Sequence, residues 1–155
     1  MSKFQLPTQA DIVAKNKELG FEIPTEYAEF LLVFNGGRPD KDRFVEQENG
    51  EEVVKFTVDC FFGIDIKKQD RFYDLYNQYI HLKHEMPRGY LPIAYDGVGN
   101  ILTLGINEGN KGGIYRISAT DDPGYETYKK YSPKLLSENF SVFLNGLKAE
   151  FEDKF

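Results

Sequence analysis

The spacing of apolar residues predicts four helices, two of them near the N-terminus. Residues 8–19 carry a modest apolar side between Thr8, a suitable N-cap, and Gly20, where the left-handed conformation available to glycine ends the helix. The next helix begins at Pro24, which suits a first helical turn, and ends at the Asn35-Gly36-Gly37 stretch. Its apolar residues recur at helical spacing and are Tyr27, Phe30, Leu31 and Phe34.

Two further helices are predicted in the middle and at the end of the chain. Helical spacing over residues 68–83 places one aromatic-rich stripe on the core, made of Phe72, Leu75, Tyr76, Tyr79 and Ile80. The last helix has Ser137 as a suitable N-cap. Its apolar stripe consists of Phe140, Phe143, Leu144, Leu147 and Phe151.

Between these helices the pattern changes to period two, which predicts strands. Over residues 53–62 the apolar side consists of Val54, Phe56, Val58, Cys60 and Phe62. The charged residues 40–52 contain Asn49-Gly50, a dipeptide that favours a tight turn, so this stretch is a surface loop or a short hairpin. Three short strands follow as a meander over residues 91–95, 101–106 and 114–118, and residues 125–131 are a candidate edge strand.

This order of elements predicts one α+β domain over residues 1–155, with helices packed on a largely antiparallel, twisted sheet. Cys60 is the only cysteine, so no intrachain disulfide can form and a reducing compartment is expected. The sequence begins MSKFQLPTQA, which lacks the pattern of a secretory signal. No apolar run approaches the ~20 residues that a bilayer core requires. We therefore expect a cytoplasmic protein without membrane attachment.

The motifs that could carry catalysis or ligand binding are weak. His81 and His84 share a face of a predicted helix, but two imidazoles lack the further ligands of a metal site. The Asp96-Gly97-Val98-Gly99-Asn100 stretch lies between strands without the helix that follows a phosphate-binding loop, so it is interpreted as a turn. Alternation places Cys60 on the apolar side of its strand, where a thiol is structural. No metal or cofactor is expected.

The charge balance indicates the kind of partner. The chain has 25 acidic and 19 basic residues and a net charge of −6, which argues against direct binding of nucleic acid and suits a cationic protein. Tyrosine is enriched in protein contact surfaces. The tyrosines that are hardest to bury together are Tyr73, Tyr90, Tyr95, Tyr125, Tyr128 and Tyr131. From the residues alone, a protein interaction surface is the leading hypothesis.

Five stretches occur in an order that is typical of one family. They are IPTEYAEFL at 23–31 with NGGRP at 35–39, FFGI at 61–64, LPIAYDGVGN at 91–100, GIY at 113–115 and FSVFL at 140–144. This ordered set resembles the SMI1/KNR4 superfamily, also called SUKH. The positions that carry the resemblance are Pro24, Tyr27, Phe30, Leu31, Asn35, Gly36, Gly37, Pro39, Pro92, Ile93, Ala94, Asp96, Gly97, Gly99, Asn100, Tyr115, Phe140, Phe143 and Leu144.

The resemblance implies a non-enzymatic α+β domain that binds other proteins. Many bacterial members resemble immunity proteins of polymorphic or contact-dependent toxin systems, and this compact chain is similar to that form. The resemblance therefore implies direct binding and neutralisation of a cognate toxin, for example a nuclease. The motif residues are expected to be structural, and the partner-binding residues are expected between the motifs, among the acidic residues Glu46, Glu48, Glu51, Glu52, Asp121 and Asp122.

Two other functions remain open from the sequence. The first is a small regulatory scaffold that binds a cellular partner other than a toxin. The fungal members of the superfamily resemble such scaffolds. The second is an enzyme or small-ligand binder, which would require a deep pocket with convergent polar groups.

Overall fold

The computed structural model describes residues 4–118 and 133–149. In chain order its elements are α1 (Gln9–Leu19), α2 (Thr25–Phe34), β1 (Arg43–Glu48), β2 (Glu51–Phe61), a 3₁₀ helix (Lys68–Tyr73), α3 (Leu75–Leu82), β3 (Tyr90–Asp96), β4 (Ile101–Gly105), β5 (Ile114–Ile117), β6 (Pro133–Ser137) and α4 (Phe140–Asn145).

The six strands form one antiparallel sheet in which each strand pairs with its neighbour in sequence, in the order β1-β2-β3-β4-β5-β6. The sheet is curled, because Glu46 of β1 lies 3.6 Å from the ammonium group of Lys134 in β6, although these strands are at opposite edges. Helices pack on this sheet, so the predicted α+β class and antiparallel arrangement are confirmed. The meander of β3, β4 and β5 is also confirmed.

The first two helices form where local rules place them. Thr8 caps α1 by accepting the Asp11 amide at 3.2 Å, and the Asp11 carboxylate accepts the Thr8 amide at 2.8 Å. Gly20 ends α1 in the left-handed conformation, with φ of 88°. Pro24 precedes the first turn of α2 rather than lying in it, because its ψ of 139° is extended.

The predicted third helix is divided at Asp74. This residue is extended and its carboxylate accepts the amides of Asn77 at 2.9 Å and Ile66 at 3.2 Å, so it caps α3 and separates α3 from the 3₁₀ helix. The predicted stripe was therefore wrong at both ends, since Phe72 is 53% exposed and Ile80 is 40% exposed.

Of the two alternatives for residues 40–52, the hairpin is the one that forms, but the predicted alternation in β2 was wrong at Val54. Asn49 and Gly50 have φ of 52° and 81° and form the turn between β1 and β2. Phe44 pairs with Phe56 and Val45 with Val54, so a β-bulge leaves one extra residue, Lys55, in β2. The bulge shifts the alternation, and Val54 is 46% exposed.

The C-terminal elements also differ from the prediction. Residues Pro133–Ser137 form the edge strand β6, so Ser137 is not the cap of the last helix. Asn139 caps α4 by accepting the Val142 amide at 2.8 Å, and α4 ends at Asn145, before Leu147. The strand predicted over residues 125–131 and the predicted core residue Phe151 lie outside the described residues.

An aromatic cluster joins α2, β2 and α4. The ring centroid of Phe140 lies 5.0 Å from those of Tyr27 and Phe30 and 5.5 Å from that of Phe61. The buried Tyr27 hydroxyl donates a hydrogen bond to the carbonyl of Phe62 at 2.6 Å. Burial, and then the nearby Cys60 thiol, raise the pKa of Tyr27 well above its ordinary value, so the hydroxyl keeps its proton and the hydrogen bond persists.

The segment after α2 packs closely against the end of β2 and the residues that follow it. The Asn35 side chain donates to the carbonyl of Ile64 at 3.0 Å and accepts the Ile64 amide at 2.8 Å. Gly36 has φ of 80°, and a Cβ atom there would lie 2.5 Å from the carbonyl oxygen of Phe61. A side chain at Gly36 is therefore excluded by contact as well as by backbone conformation.

We expect Gly36→Ala to lower the free energy of unfolding by about 3 kcal/mol or more, because strain adds to a backbone clash. Gly20→Ala is the matched control, since Gly20 also has positive φ but a Cβ atom there would have no heavy atom within 4 Å. It should cost about 1 kcal/mol from strain alone. Urea unfolding of both variants measures the difference, and equal losses would contradict the steric argument.

Candidate protein-binding surface

The structure brings four of the six acidic residues predicted to bind a partner into one hairpin. Glu46 and Glu48 lie on β1, and Glu51 and Glu52 lie on β2, across the Asn49-Gly50 turn. In the register of the hairpin, Glu48 is directly opposite Glu51 and Gln47 is opposite Glu52. Asp121 and Asp122, the other two predicted residues, lie outside the described part of the chain.

The outer half of this hairpin extends beyond the part of β2 that pairs with β3. β2 pairs with β3 only between Val58 and Phe61, whereas its pairing with β1 continues to Glu51. We call residues 45–54 the hairpin arm. At its base, Phe44 stacks on Phe56 with ring centroids 4.9 Å apart and on Phe143 at 5.7 Å. A two-stranded ribbon is marginally stable alone, so this base holds the arm in place.

The four glutamates of the hairpin arm differ in their partners. Glu46 pairs with Lys134 at 3.6 Å, and Glu48 pairs with Lys55, the bulged residue. The Glu48 carboxylate, first through its hydrogen bond, raises the pKa of the exposed Lys55. Glu51 and Glu52 are exposed and form no ion pair with any residue in 4–118 or 133–149. These two carboxylates are available to a cationic partner.

Exposed valines accompany these carboxylates. Val54 is 46% exposed and lies across from Val45 in the hairpin arm. Val98, in the neighbouring turn between β3 and β4, is 79% exposed. The turn lies against β2, because the Gly97 amide donates to the carbonyl of Thr57 at 2.9 Å. Apolar groups surrounded by charge are typical of protein contact surfaces.

Sequence reasoning missed both exposed valines. Period-two alternation assigned Val54 to the core, and only the bulge reverses that assignment. Val98 had a detectable signal, because a valine flanked by two glycines in a tight turn is short of neighbours that could bury it.

Asp96 gives the turn between β3 and β4 a structural role. Its carboxylate, 0% exposed, accepts the amides of Val98 at 3.0 Å and Asn100 at 2.8 Å. It also accepts two hydrogen bonds from the Arg116 guanidinium, from Nε at 3.0 Å and from Nη2 at 2.8 Å. The guanidinium in turn lies 4.6 Å from the centroid of the Phe56 ring. The interpretation of residues 96–100 as a turn is confirmed. Both carboxylate oxygens of Asp96 already accept hydrogen bonds from within the protein.

The other groups that could carry chemistry do not form a site in the described part of the chain. A depression of about 400 Å³ near Phe4 is lined by residues of both charge signs. One of them, Asp65, pairs with the buried Lys15 at 3.0 Å. Cys60 is buried, as predicted, and His81 and His84 are exposed. Within residues 4–118 and 133–149, no three His, Cys, Asp or Glu side chains are grouped as metal ligands, and no helix there could span a membrane.

These features define an α+β domain whose exposed groups suit contact with another protein. Residues 6–146 match the model of the SMI1 / KNR4 family (SUKH-1), which is most of the chain, and the chain therefore belongs to this family. The resemblance drawn from the ordered motifs is confirmed. No curated protein matches the sequence. Family membership supports interaction with other proteins and is consistent with an immunity-type role.

We expect Asp96→Ala to lower the free energy of unfolding by about 3 kcal/mol, because it leaves Arg116 and two backbone amides without their acceptor. Asp59→Ala is the control, since Asp59 pairs with Arg38 at 3.0 Å where both side chains are partly exposed. It should change stability by about 0.5 kcal/mol or less. Chemical unfolding of both variants tests this, and a small loss for Asp96→Ala would contradict the structural role.

Proposed function

We propose that this protein is a non-enzymatic immunity protein that binds and neutralises a cognate toxin domain directly. The observation that carries the proposal is the hairpin arm of a SUKH-1 family member, which presents exposed valines and two carboxylates that form no ion pair with a described residue. The net charge of −6 supports a cationic partner. The proposal places the protein in the cytoplasm, where a chain with one cysteine stays reduced.

The chemistry of the hairpin arm suits a toxin with a basic substrate groove, such as a nuclease. Glu51 and Glu52 would attract the groove and increase the association rate. Val54 and Val98 would then lose their water against an apolar part of the toxin and slow dissociation. Asp121 and Asp122 belong to the same proposal on the strength of their charge.

A co-expression rescue tests the function. The probe is the C-terminal domain of a secreted protein encoded beside this chain, induced in a host with and without the chain. We expect the domain to be lethal alone and the chain to restore growth through a stable complex. Lack of rescue, with both proteins soluble and the domain lethal, would contradict the immunity function for that pair and favour the regulatory scaffold, for which pull-down from the native cytoplasm is the next test.

The hairpin arm can be tested on the same complex. We expect Glu51→Lys with Glu52→Lys to lower the association rate constant at least about tenfold at low salt, and less at high salt, because screening weakens steering. Glu22→Lys with Glu29→Lys is the control, because both residues are exposed on the helical side of the domain and the charge change is the same. Stopped-flow binding at two salt concentrations measures both.

A substitution at Val54 tests the apolar part of the same surface. Val54→Ser should increase the dissociation rate constant with little change in association, whereas Val142→Ser, at a 62% exposed valine on α4, should leave both unchanged. If the complex forms but neither the glutamates nor Val54 affects its kinetics, the toxin is bound by another face of the protein.

A further inference from the structure

A depression of about 270 Å³ lies at the C-terminal end of α3, away from the hairpin arm in the sequence and independent of the function proposed for it. We call it the α3 pocket. The lining residues that matter for its chemistry are Tyr79, Lys83, His84, Met86, Arg88 and Tyr90.

The backbone around the α3 pocket is fixed on both sides. Met86 is buried, and its amide donates to the carbonyl of Leu82 at 3.1 Å, which holds the chain against the end of α3. On the other side the carbonyl of Gly89 accepts the Ile106 amide at 3.0 Å and the Asn110 side-chain amide at 3.2 Å. Lys83 and Arg88 therefore start from defined positions.

The charge of the α3 pocket is opposite to that of the whole protein. Lys83, His84 and Arg88 are exposed, no carboxylate lines the pocket, and none of the three forms an ion pair with a described residue. Glu85 is adjacent in sequence but does not line the pocket. The end of α3 carries a partial negative charge that offsets part of the field of Lys83 and His84, whereas Arg88 lies beyond the helix.

Two half-buried tyrosines form walls of the α3 pocket. Tyr79 packs edge-on against Phe21 with ring centroids 5.4 Å apart, and Tyr90 packs edge-on against Tyr115 at 5.2 Å. These contacts hold both rings, and each hydroxyl can donate a hydrogen bond. The pocket thus combines cationic donors, neutral donors and aromatic surface.

We propose that the α3 pocket binds a phosphate monoester, with the Arg88 guanidinium and the Lys83 ammonium on the phosphate oxygens. A phosphate carries nearly two negative charges and three acceptor oxygens, and the planar donors of arginine match two of them at once. A carboxylate carries about half that charge and has only two acceptor oxygens, so some of the hydrogen-bond donors in the pocket would stay unused. The aromatic walls favour a nucleoside monophosphate over free phosphate, because a base stacks on tyrosine.

The test is an NMR titration of the full-length ¹⁵N-labelled protein with adenosine 5′-monophosphate, inorganic phosphate and adenosine. We expect the monophosphate to shift the amide signals of residues 79–90 saturably, with a dissociation constant below about 1 mM. Inorganic phosphate should act at the same signals, at least fivefold more weakly, and adenosine should have no effect. Equal affinity for both phosphates would show that the phosphate group alone is recognised, and it would overturn the role given to the tyrosines.

Variants identify the groups that act. Lys83→Gln with Arg88→Gln should weaken monophosphate binding at least tenfold, and Arg88→Lys should weaken it less, because charge remains while the planar donor pair is lost. Lys17→Gln with Lys68→Gln, at two exposed lysines elsewhere, should leave it unchanged. Shifts that do not saturate below 10 mM, or that persist in the Lys83 and Arg88 double variant, would overturn the proposal and show only general attraction of anions.

Discussion

The packing of α2 against the end of β2 is the contact on which the rest of the structure depends. Tyr27 and Phe30 bring α2 onto the aromatic cluster, and the Tyr27 hydroxyl satisfies the carbonyl of Phe62 in the core. Asn35 and Gly36 then allow the backbone of the α2 exit to lie directly on β2. Because α4 packs on the same rings, the base of the hairpin arm is positioned by this one contact.

Charge is used in two ways in this domain. Asp96 and Arg116 are held among hydrogen bonds and an aromatic ring, so their charges are neutralised where they are desolvated. Glu51 and Glu52 lie in water, where an unpaired carboxylate costs little and remains available for a partner. A buried carboxylate therefore stabilises the fold, whereas an exposed one leaves its charge free to act on the surroundings.

Elements governed by local chemistry could be predicted from the sequence, and those governed by distant contacts could not. Helices α1 and α2 follow from caps and apolar spacing, and the arm's turn follows from Asn49-Gly50. The break at Asp74 depends on its carboxylate accepting the Ile66 amide, eight residues away. β6 begins with proline, and its five residues, PKLLS, do not alternate between apolar and polar. The strand is half exposed, so no apolar pattern marks it in the sequence. The glutamates of the hairpin arm were chosen from the sequence for their negative charge. Which of them form ion pairs depends on the positions of Lys134 and Lys55, which the sequence does not show.

The bulge at Lys55 divides β2 into two parts that are held by different neighbours. Residues beyond it pair only with β1, so their side-chain orientation is set by the length of the hairpin and not by the core. Gain or loss of one residue at this point would exchange the two faces of the hairpin arm while the aromatic base kept its packing. A domain built in this way can present a different surface on this arm through a change in chain length, with every buried residue retained.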